Sequence, residues 1–133
     1  MIKRIGHLAF VVQDMETSLV YYSGVLGFQK AFELRKKDNE PWIVYIKVGT
    51  GQFIELFYGG TEKLPGGSIG YNHFCLEVED IQTVAAHLRA HGAPLDHGPS
   101  QGLDLNWQCW SHDPDGNRIE FMQMNPESPQ MKA

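Results

Sequence analysis

The chain has 133 residues, the length of one ordinary domain, and 42% of them are hydrophobic, which is enough for a packed core. Its formal net charge is −5 and it has no basic run, which argues against a nucleic-acid-binding surface. The sequence shows no run of about 18 apolar residues and no leading apolar segment with a cleavage site. We therefore expect a cytoplasmic protein with no membrane partner.

Hydrophobic periodicity and turn residues predict a first module with the order β-α-β-β-β. Asp14 has the side chain of a helix N-cap, and Gly27 is the type of residue that ends a helix. The predicted elements are a strand over 5–12, a helix over 15–26, and strands over 28–34, 42–48 and 52–58.

The same order follows after a glycine-rich linker. Asp80 and Gly92 bracket the second helix as Asp14 and Gly27 bracket the first. The predicted elements are a strand over 73–78, a helix over 81–91, a weak strand over 94–98, and strands over 107–112 and 117–124. The last residues contain two prolines, and we expect them to form a tail of low order.

The two modules are copies of one unit. The segment around His7 aligns with the segment around His73, 66 residues later, and that around Glu55 aligns with that around Glu120, 65 residues later. A near-constant offset indicates duplication. We predict an α+β fold in which two tandem β-α-β-β-β modules form a cupped, incomplete barrel. The expected single domain spans 1–133, with module 1 at about 4–59, the linker at about 60–70, module 2 at about 71–124 and the tail at 125–133.

Each copy carries one histidine and one glutamate at matched positions: His7 with Glu55, and His73 with Glu120. Side chains alternate between the faces of a strand, so each glutamate points away from its Ile, Leu or Phe neighbours. It can meet the histidine if the last strand of each module pairs with the first. An ion pair or an exposed sheet edge would explain one such glutamate. The doubled set instead favours a divalent metal site, because an unpartnered buried carboxylate is costly.

Cys75 and Cys109 are the only cysteines, and both lie in strand-like runs. Small buried thiols suit such positions, whereas a disulfide requires an oxidising compartment. We predict two unpaired, buried thiols.

From His7 to Met122 the sequence resembles the glyoxalase/bleomycin-resistance/dioxygenase superfamily, also called vicinal oxygen chelate proteins. Residues 18–28 resemble the family's first helix and its exit, and 113–121 resemble its terminal hairpin. This fold hosts isomerases, epimerases, dioxygenases, thiol transferases and drug-binding proteins. Within the family, the His–Glu–His–Glu set is most similar to glyoxalase I, the lactoylglutathione lyase.

The resemblance implies that His7, Glu55, His73 and Glu120 bind one divalent metal ion per site, with Ni²⁺ favoured over Zn²⁺, Co²⁺ or Mn²⁺. It implies a lyase or isomerase that transfers a proton through a metal-bound enediolate of a small substrate with vicinal oxygens. Glu120 is the first candidate for the base and Glu55 the second. Small members often build one cleft from modules of two chains, which implies a homodimer. The alternatives are an epimerase or dioxygenase of the same fold, and a small-molecule- or antibiotic-binding protein without catalysis.

Two positions depart from the pattern of family members that act on glutathione adducts. Those members tend to carry an Arg where this chain has Val11 and an Asn where it has Gly59. The resemblance therefore implies weak use of glutathione. Arg118 or the loop at 104–106 is a candidate anchor for a smaller polar substrate, with an ordinary surface arginine and an ordinary hairpin as the alternatives.

The remaining candidates for the site are two tryptophans and four histidines. Trp107 and Trp110 lie on opposite faces of one predicted strand, so we expect one in the core and one beside the site. His87 and His91 are spaced i, i+4 on the second helix, which can chelate metal, but the first copy has nothing comparable. We interpret them, and His97 and His112 near turns, as surface residues.

Overall fold

The structure is a computed structural model that describes residues 4–62 and 70–133. The chain divides into two compact units, Met1–Gly66 and Gly67–Ala133. Each unit contains one four-stranded sheet. The predicted linker at about 60–70 lies largely outside the described residues.

The first unit has the predicted β-α-β-β-β order. Its elements are β1 (His7–Val11), α1 (Met15–Leu19) continuing as a π-helical segment (Val20–Val25), β2 (Gln29–Arg35), β3 (Pro41–Gly49) and β4 (Gln52–Phe57). The strand order in the sheet is β1-β4-β3-β2, with β1 parallel to β4 and the other pairs antiparallel. The last strand of the module pairs with the first, as predicted.

The second unit repeats this arrangement. Its elements are β5 (Phe74–Glu77), α2 (Ile81–Ala90), β6 (His97–Gln101), β7 (Trp107–His112), β8 (Arg118–Gln123) and a short α3 (Pro129–Lys132). The strand order is β5-β8-β7-β6, and β5 is parallel to β8. Two β-α-β-β-β modules of mixed sheet and few helices confirm the predicted α+β class.

Both helices have the N-terminal and C-terminal capping residues that the sequence predicts. The carboxylates of Asp14 and Asp80 each accept a backbone N–H two or three residues later, at 2.7 and 2.8 Å. Gly27 has φ +74° and Gly92 has φ +63°, a left-handed conformation that glycine adopts without steric cost. These four residues therefore set the limits of the two helical segments.

The first helical segment is not one regular α-helix, so that part of the prediction is wrong. Over Val20–Val25 it widens into π-helical turns, and the backbone N–H of Leu26 donates to the Tyr21 carbonyl at 3.0 Å. Tyr21 and Tyr22 are 5% and 0% exposed and pack edge to face. The wider turn allows two consecutive bulky rings to reach the core together.

Two further boundaries differ from the sequence prediction. The second strand of the second module begins at His97 rather than at Pro94, because a proline has no N–H to donate and the first N–H bonded to β7 in this stretch is that of Asp96. The tail predicted to be of low order contains α3, which is capped by the buried Ser128 hydroxyl. The low-order prediction is therefore wrong for Pro129–Lys132.

The core lies on the sheet faces opposite the two glutamates. Ile54 and Leu56 flank Glu55 in sequence and are 2% and 0% exposed. Ile119 and Phe121 flank Glu120 and are 0% and 4% exposed. Helix α2 adds an apolar stripe of Ile81, Ala85 and Leu88. In the part of the chain that the structure describes, no helix has the length and apolar character needed to cross a membrane.

Candidate active site

The first unit brings His7 and Glu55 together. His7 begins β1, Glu55 lies on the neighbouring β4, and His7 Nδ1 is 3.3 Å from Glu55 Oε1. The imidazole is half-exposed, whereas the Glu55 side chain is only 9% exposed. The pair thus combines a nearly buried carboxylate with an accessible ring nitrogen donor.

The second unit brings His73 and Glu120 together in the same way. His73 immediately precedes β5, Glu120 lies on β8, and His73 Nε2 is 3.2 Å from Glu120 Oε2. The Glu120 side chain is 7% exposed. The other ring nitrogen, His73 Nδ1, lies 2.6 Å from Asn72 Oδ1, which orients the imidazole.

Neither glutamate lies at a sheet edge. Strand β4 is flanked by β1 and β3, and β8 is flanked by β5 and β7. Among the described residues, the only ion-pair partner recorded for Glu55 is His7, and the only one for Glu120 is His73. The sheet-edge explanation is therefore wrong for both residues, and a His–Glu ion pair or a metal site remains.

Tyr45 contacts Glu55 from the strand on the other side. The antiparallel register of β3 and β4 places Tyr45 directly opposite Glu55. The Tyr45 hydroxyl hydrogen-bonds to the carboxylate, and this hydrogen bond is the main reason why the pKa of Tyr45 is raised. The Tyr45 ring stacks on Phe32 with centroids 4.2 Å apart. A phenol held in this way fixes the orientation of the carboxylate.

Cys75 is the corresponding neighbour of Glu120. The parallel register of β5 and β8 pairs the two residues, and the thiol hydrogen-bonds to the carboxylate. Desolvation, together with the charge and hydrogen bond of Glu120, raises the pKa of Cys75 to about 12. Both Cys75 and Cys109 are free, as predicted, and Cys109 is buried. The prediction of burial is wrong for Cys75, which is exposed on the Glu120 face.

Trp110 lies opposite Glu120 on β7, so it is the tryptophan beside the site. Its ring meets the His73 ring edge to face, with centroids 4.8 Å apart. The Arg118 guanidinium lies over the Trp110 ring, 4.5 Å from its centroid. Trp107 is 39% exposed, so the expectation that one of the two tryptophans occupies the core is wrong.

The remaining sequence candidates are less closely tied to the two pairs. Val11, in the place of an anchoring arginine, is 61% exposed. In the loop at 104–106, the Asp104 carboxylate accepts from the Asn106 side chain, and Asn106 is fully buried and accepts from the Asn125 N–H. The polar groups of Asp104 and Asn106 therefore stabilise the loop itself through hydrogen bonds within the protein.

The other histidines lie where surface residues were expected. The rings of His87 and His91 are 4.1 Å apart on the exposed side of α2. His112 pairs with Asp96 at 2.8 Å, and His97 lies 3.2 Å from the Ser100 hydroxyl. Across residues 4–62 and 70–133, the structure records no group of three or more His, Cys, Asp or Glu side chains arranged as metal ligands. A site that joins the two His–Glu pairs stays a prediction.

Tyr45 and Cys75 are the contacts of the glutamates that sequence reasoning did not assign to the site. Tyr45 and Glu55 lie at equal distances from Thr50, in the middle of the turn that joins β3 and β4. A hairpin with a symmetric register pairs such residues. Cys75 could have been found from the repeat, since it occupies the position of Ala9, which pairs with Glu55.

Comparison with known proteins agrees with this fold. Residues 4–121 match the family model described as the Glyoxalase/Bleomycin resistance protein/Dioxygenase superfamily, and the chain belongs to that family. It is 31% identical to a probable lactoylglutathione lyase of Synechocystis sp., over 88% of this chain and 92% of that protein. It is 31% identical to an ethylmalonyl-CoA/methylmalonyl-CoA epimerase of Cereibacter sphaeroides, over 70% and 74%.

A solved structure of a glyoxalase family protein from Enterococcus faecalis superposes with a TM-score of 0.80 at 23% identity. The alignment covers 91% of this chain and 98% of that one. At this identity the likeness shows the fold alone. The family has members of several activities, so the activity of this chain is argued from its own residues.

Proposed function

We propose that the protein is a divalent-metal-dependent enzyme of the glyoxalase I type, a lyase or isomerase that moves a proton between neighbouring carbons of a small substrate with vicinal oxygens. In this proposal His7, Glu55, His73 and Glu120 hold one metal ion. The observation that carries it is the pair of nearly buried carboxylates on inner strands, each of which faces an imidazole at 3.2–3.3 Å. Relatives named lactoylglutathione lyase support the reaction class.

The chemistry of the donors fits a divalent ion. Two imidazole nitrogens and two carboxylates suit Ni²⁺, Co²⁺, Mn²⁺ or Zn²⁺, with Ni²⁺ proposed first. Each carboxylate already has an orienting hydrogen bond, from Tyr45 to Glu55 and from Cys75 to Glu120. Such outer contacts are typical of metal ligands. A simple surface ion pair would need neither the burial nor the second contact.

A bound divalent ion would supply Lewis-acid activation of the substrate's oxygens. His7 and His73 serve as neutral ligands, and Asn72 keeps His73 oriented with Nε2 towards Glu120. Glu120 accepts the proton from carbon at a carboxylate oxygen and returns it to the adjacent carbon. Glu55 is the second candidate for this role, because it occupies the equivalent position in the other module.

We also propose a homodimer in the cytoplasm, in which modules of two chains supply the two His–Glu pairs of each site. A mixing experiment tests this assembly. Glu55→Ala damages the first module and Glu120→Ala the second, so each homodimer is inactive. If sites form between chains, the mixed dimer contains one intact site and recovers activity. If each site forms within one chain, mixing restores nothing.

The experiment that tests the function is turnover of methylglyoxal, with and without glutathione, by the protein as purified, after chelation and after reloading with Ni²⁺. Deuterium exchange at the substrate carbon in D₂O is followed by NMR. The proposal expects exchange, slow on the glutathione hemithioacetal, that chelation removes and Ni²⁺ restores. Exchange that does not respond to metal in the parent protein would overturn the metal-dependent mechanism.

An acyl-CoA epimerase is the second candidate, because an epimerase relative is 31% identical to this chain. The two activities share proton abstraction beside a carbonyl group, and they differ in the substrate that exchanges. Family epimerases usually have Gln at the position of Glu55, which favours the glyoxalase type here. Deuterium exchange into methylmalonyl-CoA, faster than into methylglyoxal adducts, would identify the epimerase instead.

A further inference from the structure

Arg118 is a charged residue beside the His73–Glu120 pair that the proposed proton transfer does not use. It lies on β8 two residues before Glu120, so the two side chains share one face of the sheet. Its cross-strand neighbour, His112, is engaged with Asp96. Among the described residues, the structure records no carboxylate paired with the Arg118 guanidinium, whose recorded side-chain contact is the Trp110 ring.

The Trp110 ring is a fixed support for this guanidinium. Its Nε1–H donates to Gln108 Oε1 at 3.1 Å, which holds the indole in one orientation. One part of the ring meets His73 at 4.8 Å, while the Arg118 guanidinium lies over the ring at 4.5 Å. Stacking on an indole leaves the N–H donors at the rim of the guanidinium free to bind a ligand. The Arg118 guanidinium and the His73 imidazole therefore contact the same indole ring.

We propose that Arg118, stacked on Trp110, binds an anionic oxygen group of the substrate, a carboxylate or a phosphate ester, next to the vicinal oxygens that react. This rests on the proposed function and narrows its substrate class to small anionic molecules. The planar guanidinium can donate two parallel hydrogen bonds to either group. It would also supply a cationic anchor for an anionic group, which Val11 and Gly59 do not.

Three small ligands that share one chemical group and differ in charge test the proposal. Dihydroxyacetone, hydroxypyruvate and dihydroxyacetone phosphate share the hydroxymethyl ketone, and they carry a neutral, a carboxylate and a phosphate group on the other side. Binding to the Ni²⁺-loaded protein is measured by calorimetry. The indole N–H resonance of Trp110, assigned with Trp110→Phe, is followed by NMR in the metal-free protein.

We expect at least one anionic probe to bind roughly 10- to 100-fold more tightly than dihydroxyacetone, the range typical of a charge-assisted hydrogen bond. The stronger of the two identifies carboxylate or phosphate as the natural group. Arg118→Gln should abolish the preference without changing Ni²⁺ affinity, and Arg118→Lys should restore part of it. Arg89→Gln, at an exposed position on α2, is the matched control and should change nothing.

Equal affinity for all three probes in the parent, or a preference that survives Arg118→Gln, would overturn the proposal. Failure of the proposed function is a different result, namely a parent protein that binds no Ni²⁺. The comparison of probes in the metal-free protein still decides the role of Arg118 in that case, because it monitors Trp110 directly.

Discussion

Tyr45 lies directly opposite Glu55 across the β3–β4 hairpin, and its hydroxyl hydrogen-bonds to the Glu55 carboxylate. In the second unit the position opposite Glu120 is held by Trp110, which cannot donate such a bond from the face of its ring. The duplicated sheets therefore present two glutamates with different neighbours. The Tyr45 phenol on Glu55 is a stronger hydrogen-bond donor than the Cys75 thiol on Glu120, and this asymmetry suits two different tasks, a fixed ligand at Glu55 and a carboxylate that exchanges protons at Glu120.

Tyr45→Phe should lower the affinity for Ni²⁺ by about 10- to 100-fold, the usual cost of losing an outer contact to a metal ligand. The stack on Phe32 survives, because only the hydroxyl is removed. Calorimetric titration with Ni²⁺ measures the effect. Tyr58→Phe, at an exposed position in the same unit, is the control. Unchanged affinity in Tyr45→Phe would remove the phenol from the site.

Glu120→Gln should abolish proton exchange while most of the metal stays bound. The amide carbonyl oxygen can still face a metal ion, but the amide cannot act as a base. NMR of solvent deuterium incorporation measures the exchange, and metal analysis of the same sample measures occupancy. Glu79→Gln, at an exposed carboxylate two residues after β5, should behave as the parent does. Exchange at the parent rate in Glu120→Gln would point to Glu55 as the base.

Activity on the hemithioacetal of methylglyoxal and glutathione should be weak. The exposed Val11 side chain and Gly59 offer no charged or polar anchor for the glutathione carboxylates. Two lost charge-assisted hydrogen bonds, at about 1.5–3 kcal/mol each, weaken recognition by roughly two to four decades. Steady-state kinetics would contradict this with a kcat/KM of about 10⁶ M⁻¹s⁻¹ or more, a value within the normal range for a native substrate.

Deprotonation of Tyr71 should lower the free energy of unfolding at alkaline pH. Partial burial raises the pKa of Tyr71 to about 12, and its hydroxyl donates to the Arg118 carbonyl at 2.8 Å. A folded-state pKa above the unfolded value gives stability that is present below pH 10 and lost as the pH rises from about 10 to 12. Urea unfolding at several pH values should show a shallower alkaline decline for Tyr71→Phe. Identical slopes for the two proteins would contradict this.

Much of the fold could be predicted because its signals are local or repeated. Asp14, Gly27, Asp80 and Gly92 mark helix ends through backbone chemistry, which does not depend on the rest of the molecule. The two His–Glu pairs follow from strand alternation once the last strand of each module is paired with the first. The structure confirms both pairs as contacts.

Other features depend on packing that sequence patterns do not carry. The π-helical segment that contains Tyr21 and Tyr22 has only six residues, too few for its period to be distinguished in the sequence from that of an ordinary helix. The exposure of Cys75 and Trp107 depends on what covers each sheet face, and strand composition does not reveal it. The union of the two pairs into one site depends on how modules assemble, which local patterns do not specify.

Calorimetric titration of the metal-free protein with Ni²⁺ tests the central claim most directly, with Glu55→Ala, Glu120→Ala and the control His87→Ala in parallel. One site made from two pairs predicts about one ion per chain, and it predicts that either glutamate variant alone removes high-affinity binding while His87→Ala does not. No binding in the parent would contradict the account. So would two weak ions per chain, of which each glutamate variant removes only one, because each His–Glu pair would then act alone.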